Sequence, residues 1–594
     1  MPGTSLLRGA VPAETESLFE SLHFSAEYET RRRWSRDGTL LATTGYPTYP
    51  TTGYEFDDAR VVLEGRLYDV EAPERALRSL VDALLDGDRD AVTDWVLDRD
   101  GDFLVTVHDE ARDAVYLLND TFARLPTYYA TLGDTVVVSR ELKFVREVAA
   151  RRGAALELDS LAVAQQLLFG YCLGQRTVFD GVTCLPAGSL LTLADGDVRV
   201  ERLYEYDFEE TAHADRSVEE NATELADRFL AACERRASDD ATDVLSLSGG
   251  LDSRAVGGAF TALDLPYVTA TFDNSDEGES DDARVARAIA ERLDVPWTRY
   301  STSATDRHRE RLVEAKQGMN YLGMAFILDF FDQLREDHGA MQYVTGDGGD
   351  KILVDLTPAK TLGSREALVE YVVDSNAQFS LDRAADIANV SASDLRDSIE
   401  ERLDAYPEST TAQQYVHFLV YERGINYLNH GEDRNRYFFW SVSPFYSRPV
   451  FAYAMGCPDG QKGGRRLYRA FIERFAPDLV DLEYPNFGAP ITSVEYRLKQ
   501  TAFDLLSRYP ALRESLLDRE KIDADRNLEV LSMIHAHLLQ SDVTPLSRRA
   551  CIEVTTKPAA YRRTQLLELL TVLALRSDLE SEREAKRSAV SPRD

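Results

Sequence analysis

The sequence predicts two domains of different class: an α+β unit of layered antiparallel sheets over residues 1–205, then an α/β unit with a parallel, doubly wound sheet over residues 218–500. Short β-rich runs separated by turn signals fill the first region, and strand–helix alternation fills the second. Between them, residues 206–217 are polar and unpatterned, as a linker would be. A chain of 594 residues also exceeds what one hydrophobic core holds.

In the first domain, residues 60–70 carry a β-branched centre, and 102–109 alternate Phe103, Val105 and Val107 with polar or smaller neighbours. Residues 114–118 and 135–139 are shorter runs, punctuated by Asn-Asp, Leu-Pro and Gly-Asp pairs. Residues 74–97 read as one helix with Leu77, Leu80, Val81, Leu84 and Leu85 along it, and 189–206 as a hairpin turning at Asp195-Gly196. In the second domain a helix over 218–237 precedes strands at 243–247 and 267–272. A helix over 282–293 follows, with Val285, Ile289 and Leu293 at four-residue spacing, then strands at 296–301 and 342–345. From about 501 to 594 the chain reads as a charged helical extension, ending in a disordered tail after about Ser581. This extension leaves three roles open: a lid, a homodimer contact or another partner surface.

Asp and Glu number 102 against 67 Lys and Arg, a net charge of −35, and only nine of the basic residues are lysine. An acidic, lysine-poor surface is expected of a protein that stays soluble in concentrated salt; plain acidity for solubility is the alternative. Either way it argues against non-specific binding to nucleic acid or anionic membrane. There is no signal-peptide pattern and no long apolar segment, so a cytoplasmic location is expected. The five cysteines are scattered without C-x₂₋₄-C spacing, which implies buried thiols rather than structural zinc.

The most informative segment is Ser248-Gly249-Gly250-Leu251-Asp252-Ser253, preceded by Leu247 at the end of a strand and followed by a helical pattern. Two glycines let the backbone approach an anion, the N–H groups converge, and the helix dipole adds positive charge. Ser248 and Ser253 add hydroxyls. A Walker A loop is excluded for want of a lysine. An Asp inside an anion cradle repels its ligand unless it holds Mg²⁺. A plain N-cap after a Gly-Gly turn is the competing explanation.

This loop resembles the S-G-G-x-D-S pyrophosphate loop of ATP pyrophosphatases, in the form used by asparagine synthetases. Their second signature, G-x-G-x-D-E, is matched by Gly346-Asp347-Gly348-Gly349-Asp350-Lys351, with Lys351 in place of Glu. The resemblance implies an adenine nucleotide alpha hydrolase-like parallel-sheet domain with ATP and Mg²⁺ as cofactors; Leu247, Ser248, Gly249, Gly250, Asp252, Ser253, Gly346, Asp347, Gly348 and Gly349 are expected to hold ATP and pyrophosphate, and Asp252 and Asp350 the metal, with Asp347 secondary. The first domain resembles the family's glutaminase, an N-terminal nucleophile-hydrolase-like layered fold. The similarity lies in residues 62–68, in 118–120 with 125–129, in Ser139-Arg140-Glu141-Leu142-Lys143, and in Leu185-Pro186-Ala187-Gly188.

The departures are informative. Family glutaminases use a cysteine at residue two; Pro2 stands here, and the first cysteine is Cys172. The family's oxyanion-hole Asn aligns with Glu64, which would repel an oxyanion. The glutaminase is therefore expected to be inactive, as a structural cap or a domain that positions an acyl substrate. In the synthetase half, the E-x-R-x-P-F-L-D element corresponds to Trp440–Ser447, so its Glu falls on Trp440. Tyr421, Glu422, Glu432, Asp433, Arg434 and Arg436 are nearby candidates without assigned roles. Lys462 sits where the family places a lysine against the α-phosphate. The resemblance implies adenylation of a small-molecule or peptide carboxylate, then transfer to ammonia or an amine. A tRNA-modifying pyrophosphatase and a non-catalytic ATP-binding or regulatory derivative are the competing expectations.

Overall fold

Two six-stranded antiparallel sheets stack face to face in the first domain. The computed structural model describes residues 1–10, 15–36, 38–209, 211–274, 278–507 and 524–590. One sheet runs Thr183–Cys184, Tyr128–Leu132, Thr135–Ser139, Gly3–Gly9, Thr39–Gly45, Glu29–Arg36; the other runs Asp197–Arg202, Ser189–Ala194, Ala114–Asn119, Gly101–Asp109, Ala59–Leu67, Thr51–Phe56. Alternation along each strand builds the layers. Leu6, Leu41, Val62 and Leu104 meet between the sheets, whereas Leu7, Leu40 and Val137 face outward onto Phe144 and Val148. Val61, Leu63 and Val105 likewise face Leu77, Leu80 and Trp95.

The strands at Gly3–Gly9 and Thr39–Gly45 are buried on both faces and show no polar alternation, and Glu29–Arg36 is an edge strand dominated by charge. Both patterns hide strands from a periodicity search. The single helix expected over 74–97 is two, Pro73–Asp86 and Arg89–Leu97. Gly87 closes the first in a left-handed turn (φ 72°), and Asp88 caps the second by accepting from the Ala91 N–H at 3.0 Å.

The segment 206–217, expected as a free linker, is docked. Tyr206 and Phe208 are buried, and the Tyr206 N–H donates to Tyr421 Oη at 3.0 Å. Beyond it the second domain forms a five-stranded, wholly parallel sheet ordered Trp297–Ser301, Tyr267–Asp273, Thr242–Ser246, Met341–Val344, Trp440–Val442. Chain order reverses between Thr242–Ser246 and Met341–Val344, which places a crevice at their carboxyl ends.

The C-terminal region is built into the body. Leu566, Leu569, Leu570 and Leu573 of helix Arg563–Val590 share a core with Leu167 and Phe169 of the first domain and Ile534 of helix Ala524–Gln540. That helix continues through the region expected as a disordered tail, because its apolar half is anchored; residues 591–594 of that tail lie outside the described residues. Among the described residues no helix is long and apolar enough to cross a membrane.

Candidate active site

A cavity of about 460 Å³ opens at the switch point of the parallel sheet. Two loops from adjacent central strands form its floor. Ser248, Gly250, Leu251, Asp252 and Ser253 follow Thr242–Ser246, and Gly346, Asp347 and Asp350 follow Met341–Val344. Leu247, expected to touch the ligand, is buried in the sheet, its N–H bonded to Ala270 O at 2.9 Å.

The first loop is held by its own side chains. Ser248 N–H donates to Ser253 Oγ at 3.0 Å, Gly250 N–H to Ser248 Oγ at 3.2 Å, and Gly249 N–H to Asp282 Oδ1 at 2.9 Å. Two of these three donors are thus engaged by hydroxyls that can rotate away when an anion arrives. Gly249 is packed under Pro485, where a Cβ would come within 2.4 Å of the ring. Beneath the loop, Arg254 donates to the carbonyls of Gly249 (2.8 Å), Leu479 (2.9 Å) and Glu483 (2.8 Å). Burial pushes its guanidinium down to about 10.

Glycines bring the two loops together. A Cβ on Gly346 would lie 2.5 Å from Ser253 N, and one on Gly349 would lie 2.8 Å from both Asp252 Cγ and Tyr468 Oη. Gly348 turns the backbone with φ 101°. Asp252 is consequently fixed from both sides: Tyr468 Oη donates to one carboxylate oxygen, and the Asp350 N–H to the other at 3.1 Å. Burial and then the charge of Asp350 push the Asp252 carboxyl up to about 7. Asp347 rises to about 6, through burial and then Glu432. Asp350 is paired with Lys351.

Among the described residues no group of three or more His, Cys, Asp or Glu forms a protein-only metal cage. Asp252 and Asp350 do suit Mg²⁺, which keeps waters and takes one or two carboxylates beside substrate phosphates.

The upper wall includes Tyr427, Leu428, Arg434 and Asn435. Tyr427 and Leu428 end a π-helical stretch, Phe418–Leu428, a rare winding that recurs at functional sites. Arg434 is buried and, among the described residues, makes no carboxylate ion pair; its Nη2 donates to Asn435 Oδ1 at 3.0 Å. Burial pushes it down to about 10.

The family model for asparagine synthase matches residues 224–527, just over half of the sequence and spanning both loops. The chain belongs to the asparagine synthase family. It is accordingly an ATP-dependent enzyme of the amidotransferase type. A glutamine amidotransferase domain model matches residues 78–205. No curated protein matches the chain. Two solved structures share 11% identity and a TM-score of 0.23 with it. They are an allosteric regulatory enzyme of purine biosynthesis (61% of this chain, 76% of that one) and glutamine phosphoribosylpyrophosphate amidotransferase from B. subtilis in complex with ADP and GMP (71% and 96%).

Other residues expected to matter in this asparagine synthase-family chain lie elsewhere. Lys462 is buried outside the cavity's lining, 4.0 Å from Asp459 and close to Cys457 and Asp355; burial lowers its ammonium below the ordinary lysine value. Trp440 faces the first domain, its Nε1 donating to Tyr68 Oη at 3.2 Å and Arg436 lying 4.4 Å above its ring. Glu422 is committed to Arg402, Asp433 to Arg140 and Lys316, and Arg436 to Asp102. Tyr421 takes the Tyr206 N–H. Glu432 lies 3.5 Å from Arg124. Of that group only Arg434 reaches the cavity.

In the amidotransferase-type domain, Glu64 is fully buried. It accepts from Thr4 N–H at 2.8 Å, Tyr49 Oη at 2.6 Å and Arg140 Nε at 2.9 Å. Cys172 and Cys184, the two cysteines of this domain, have thiols raised by burial, Cys184 to about 12. Asp282 and Tyr468, which shape the site, carry no sequence motif of their own; Arg254 closes the glycine-rich segment, but its carbonyl partners and those two residues are marked only by their contacts in three dimensions.

Proposed function

We propose that this chain adenylates a carboxylate with ATP, releasing pyrophosphate, and transfers the acyl group to ammonia or an amine. The observation that carries it is the meeting of the Ser248–Ser253 loop, the Asp252–Asp350 pair and the unpaired Arg434 around one cavity at the sheet's switch point. Mg²⁺ held by Asp252 and Asp350 would offset the charge of the departing pyrophosphate. The loop N–H groups and the hydroxyls of Ser248 and Ser253 receive its oxygens once the internal hydrogen bonds open. Arg434 orients the carboxylate or the α-phosphate from the opposite wall. Tyr468 keeps Asp252 aimed at the metal position. The role expected for Lys462 at the α-phosphate requires the turn at Asp459–Lys462 to move towards the cavity.

AMP formation with a panel of carboxylates at high salt tests this, and absence of AMP with every carboxylate and amine offered would count against it. That outcome would favour nucleotide binding without turnover, for which the pairing of Lys351 with Asp350 is the supporting observation. Gly346→Ala inserts a methyl group where Ser253 N stands, an overpacking that costs about 1–3 kcal/mol. MgATP affinity is expected to fall about tenfold, measured by calorimetric titration, and unchanged affinity would mean that the loops act independently.

Glutamine is not the nitrogen source in this proposal. By the family resemblance Glu64 stands where an oxyanion-stabilising Asn is expected, and the thiols of the buried Cys172 and the half-buried Cys184 are both raised rather than activated. Glutamate release from glutamine is expected to stay at background in a coupled dehydrogenase assay. A rate matching AMP formation would refute this assignment.

A further inference from the structure

A second cavity, of about 190 Å³, abuts the first and shares Tyr321 and Tyr427 with it as a common wall. Phe169 and Tyr171 from the first domain line it, as do Asn376 and Gln378 and, from the C-terminal helix Arg563–Val590, Thr564 and Glu568. Glu568 is 5% exposed, and its Oε2 is buried with no hydrogen-bond partner. Burial alone raises its carboxyl to about 8. Gly170 faces it from the end of helix Ser160–Phe169, where a Cβ would stand 3.3 Å from Oε1.

A buried acceptor without a donor is costly unless a ligand supplies one. Four aromatic rings around a carboxylate are the surroundings that favour an ammonium group. The volume is several times the ~30 Å³ share of a water molecule, so ammonia would leave it largely empty. The only other charged lining residue is Arg423, which is exposed at the rim and opposes a second positive charge on the ligand.

We propose that this cavity is the subsite for an organic primary monoamine, the acyl acceptor of the ligase reaction, and that Glu568 binds its nitrogen. This rests on the ligase function proposed above. Helix Arg563–Val590, beyond the segment matched by the synthase family, then completes the acceptor site rather than serving as a lid.

The test uses the full-length chain, with propylammonium chloride as probe, titrated by saturation-transfer NMR alongside a separate MgATP titration. Saturable propylammonium binding is expected in the wild type. A loss of tenfold or more is expected in Glu568→Gln, with partial recovery in Glu568→Asp and unchanged MgATP affinity in both. Thr564→Leu narrows the same cavity while keeping the carboxylate, and is expected to weaken the probe without altering MgATP. Circular dichroism melts confirm folding of each variant. No saturable binding in the wild type, or equal affinity in folded Glu568→Gln, overturns the subsite. Failure of the wild type to bind MgATP while the probe result stands would instead overturn the ligase function and leave the amine site.

Discussion

Asp252→Asn is expected to lower AMP formation by about 10³-fold, the scale of removing one preorganised group from a charge-stabilising site. Asparagine keeps the shape and both partners, its oxygen accepting from the Asp350 N–H and its amide N–H donating to Tyr468 Oη, which can accept as well as donate. What disappears is the charge. The wild-type carboxyl is raised by burial and then by the charge of Asp350, an arrangement that a divalent cation would relieve. The variant should therefore bind ATP in the absence of Mg²⁺ no worse than wild type while losing the Mg²⁺-dependent increment. Pyrophosphate exchange at the wild-type rate, once a carboxylate substrate is in hand, would remove Asp252 from the metal position.

The two glycine-rich loops were legible in the sequence because each is a contiguous motif at a strand end, and the parallel sheet brings those ends together. Their supports were not. Arg254 reaches Leu479 and Glu483, and Tyr468 reaches Asp252, across more than 200 residues of chain, and nothing in local pattern signals such pairs. The lysine argument shows a different limit. In a chain with nine lysines, Lys462 stands out as a candidate anion ligand, yet Lys143 and Lys316 are equally rare and serve as ties. Lys143 Nζ donates to Ser21 O at 2.8 Å and to Glu314, and Lys316 is bonded to Asp433. Lys360, Lys499 and Lys557 are exposed, so scarcity alone marks neither a lysine's burial nor its partner. Arg124, Arg140, Arg236, Arg254 and Arg436 are among the largest fully buried side chains, and Arg140, Arg254 and Arg436 each give a planar fork to several acceptors.

Asp433→Ala is expected to destabilise the protein by about 3–5 kcal/mol, because it strips buried cations of a counter-charge rather than removing a balanced pair. Arg140 from the first domain and Lys316 from the second converge on Asp433, and all three side chains are at most 2% exposed. Arg140 would keep Glu64, but among the described residues Lys316 would keep no carboxylate within ion-pair distance. Burial by itself would raise the Asp433 carboxyl; Arg140 and Lys316 hold it well below the usual carboxylate range instead. The sign follows from that depression. The stabilisation is fully present above the unfolded carboxyl value of about 3.9 and is lost only as pH falls towards the lower folded value. Melting curves of wild type and variant should thus differ by several degrees, with a constant gap from pH 5 to 8 that closes in strong acid. Salt provides the decisive control, since it screens exposed ion pairs far more than buried ones. A gap that survives molar salt places the network in the dry seam between the domains. It also gives the first domain a structural purpose, because Arg140, paired with Glu64, anchors helix Asn429–Asn435 through Asp433, and that helix carries Arg434 into the synthase cavity.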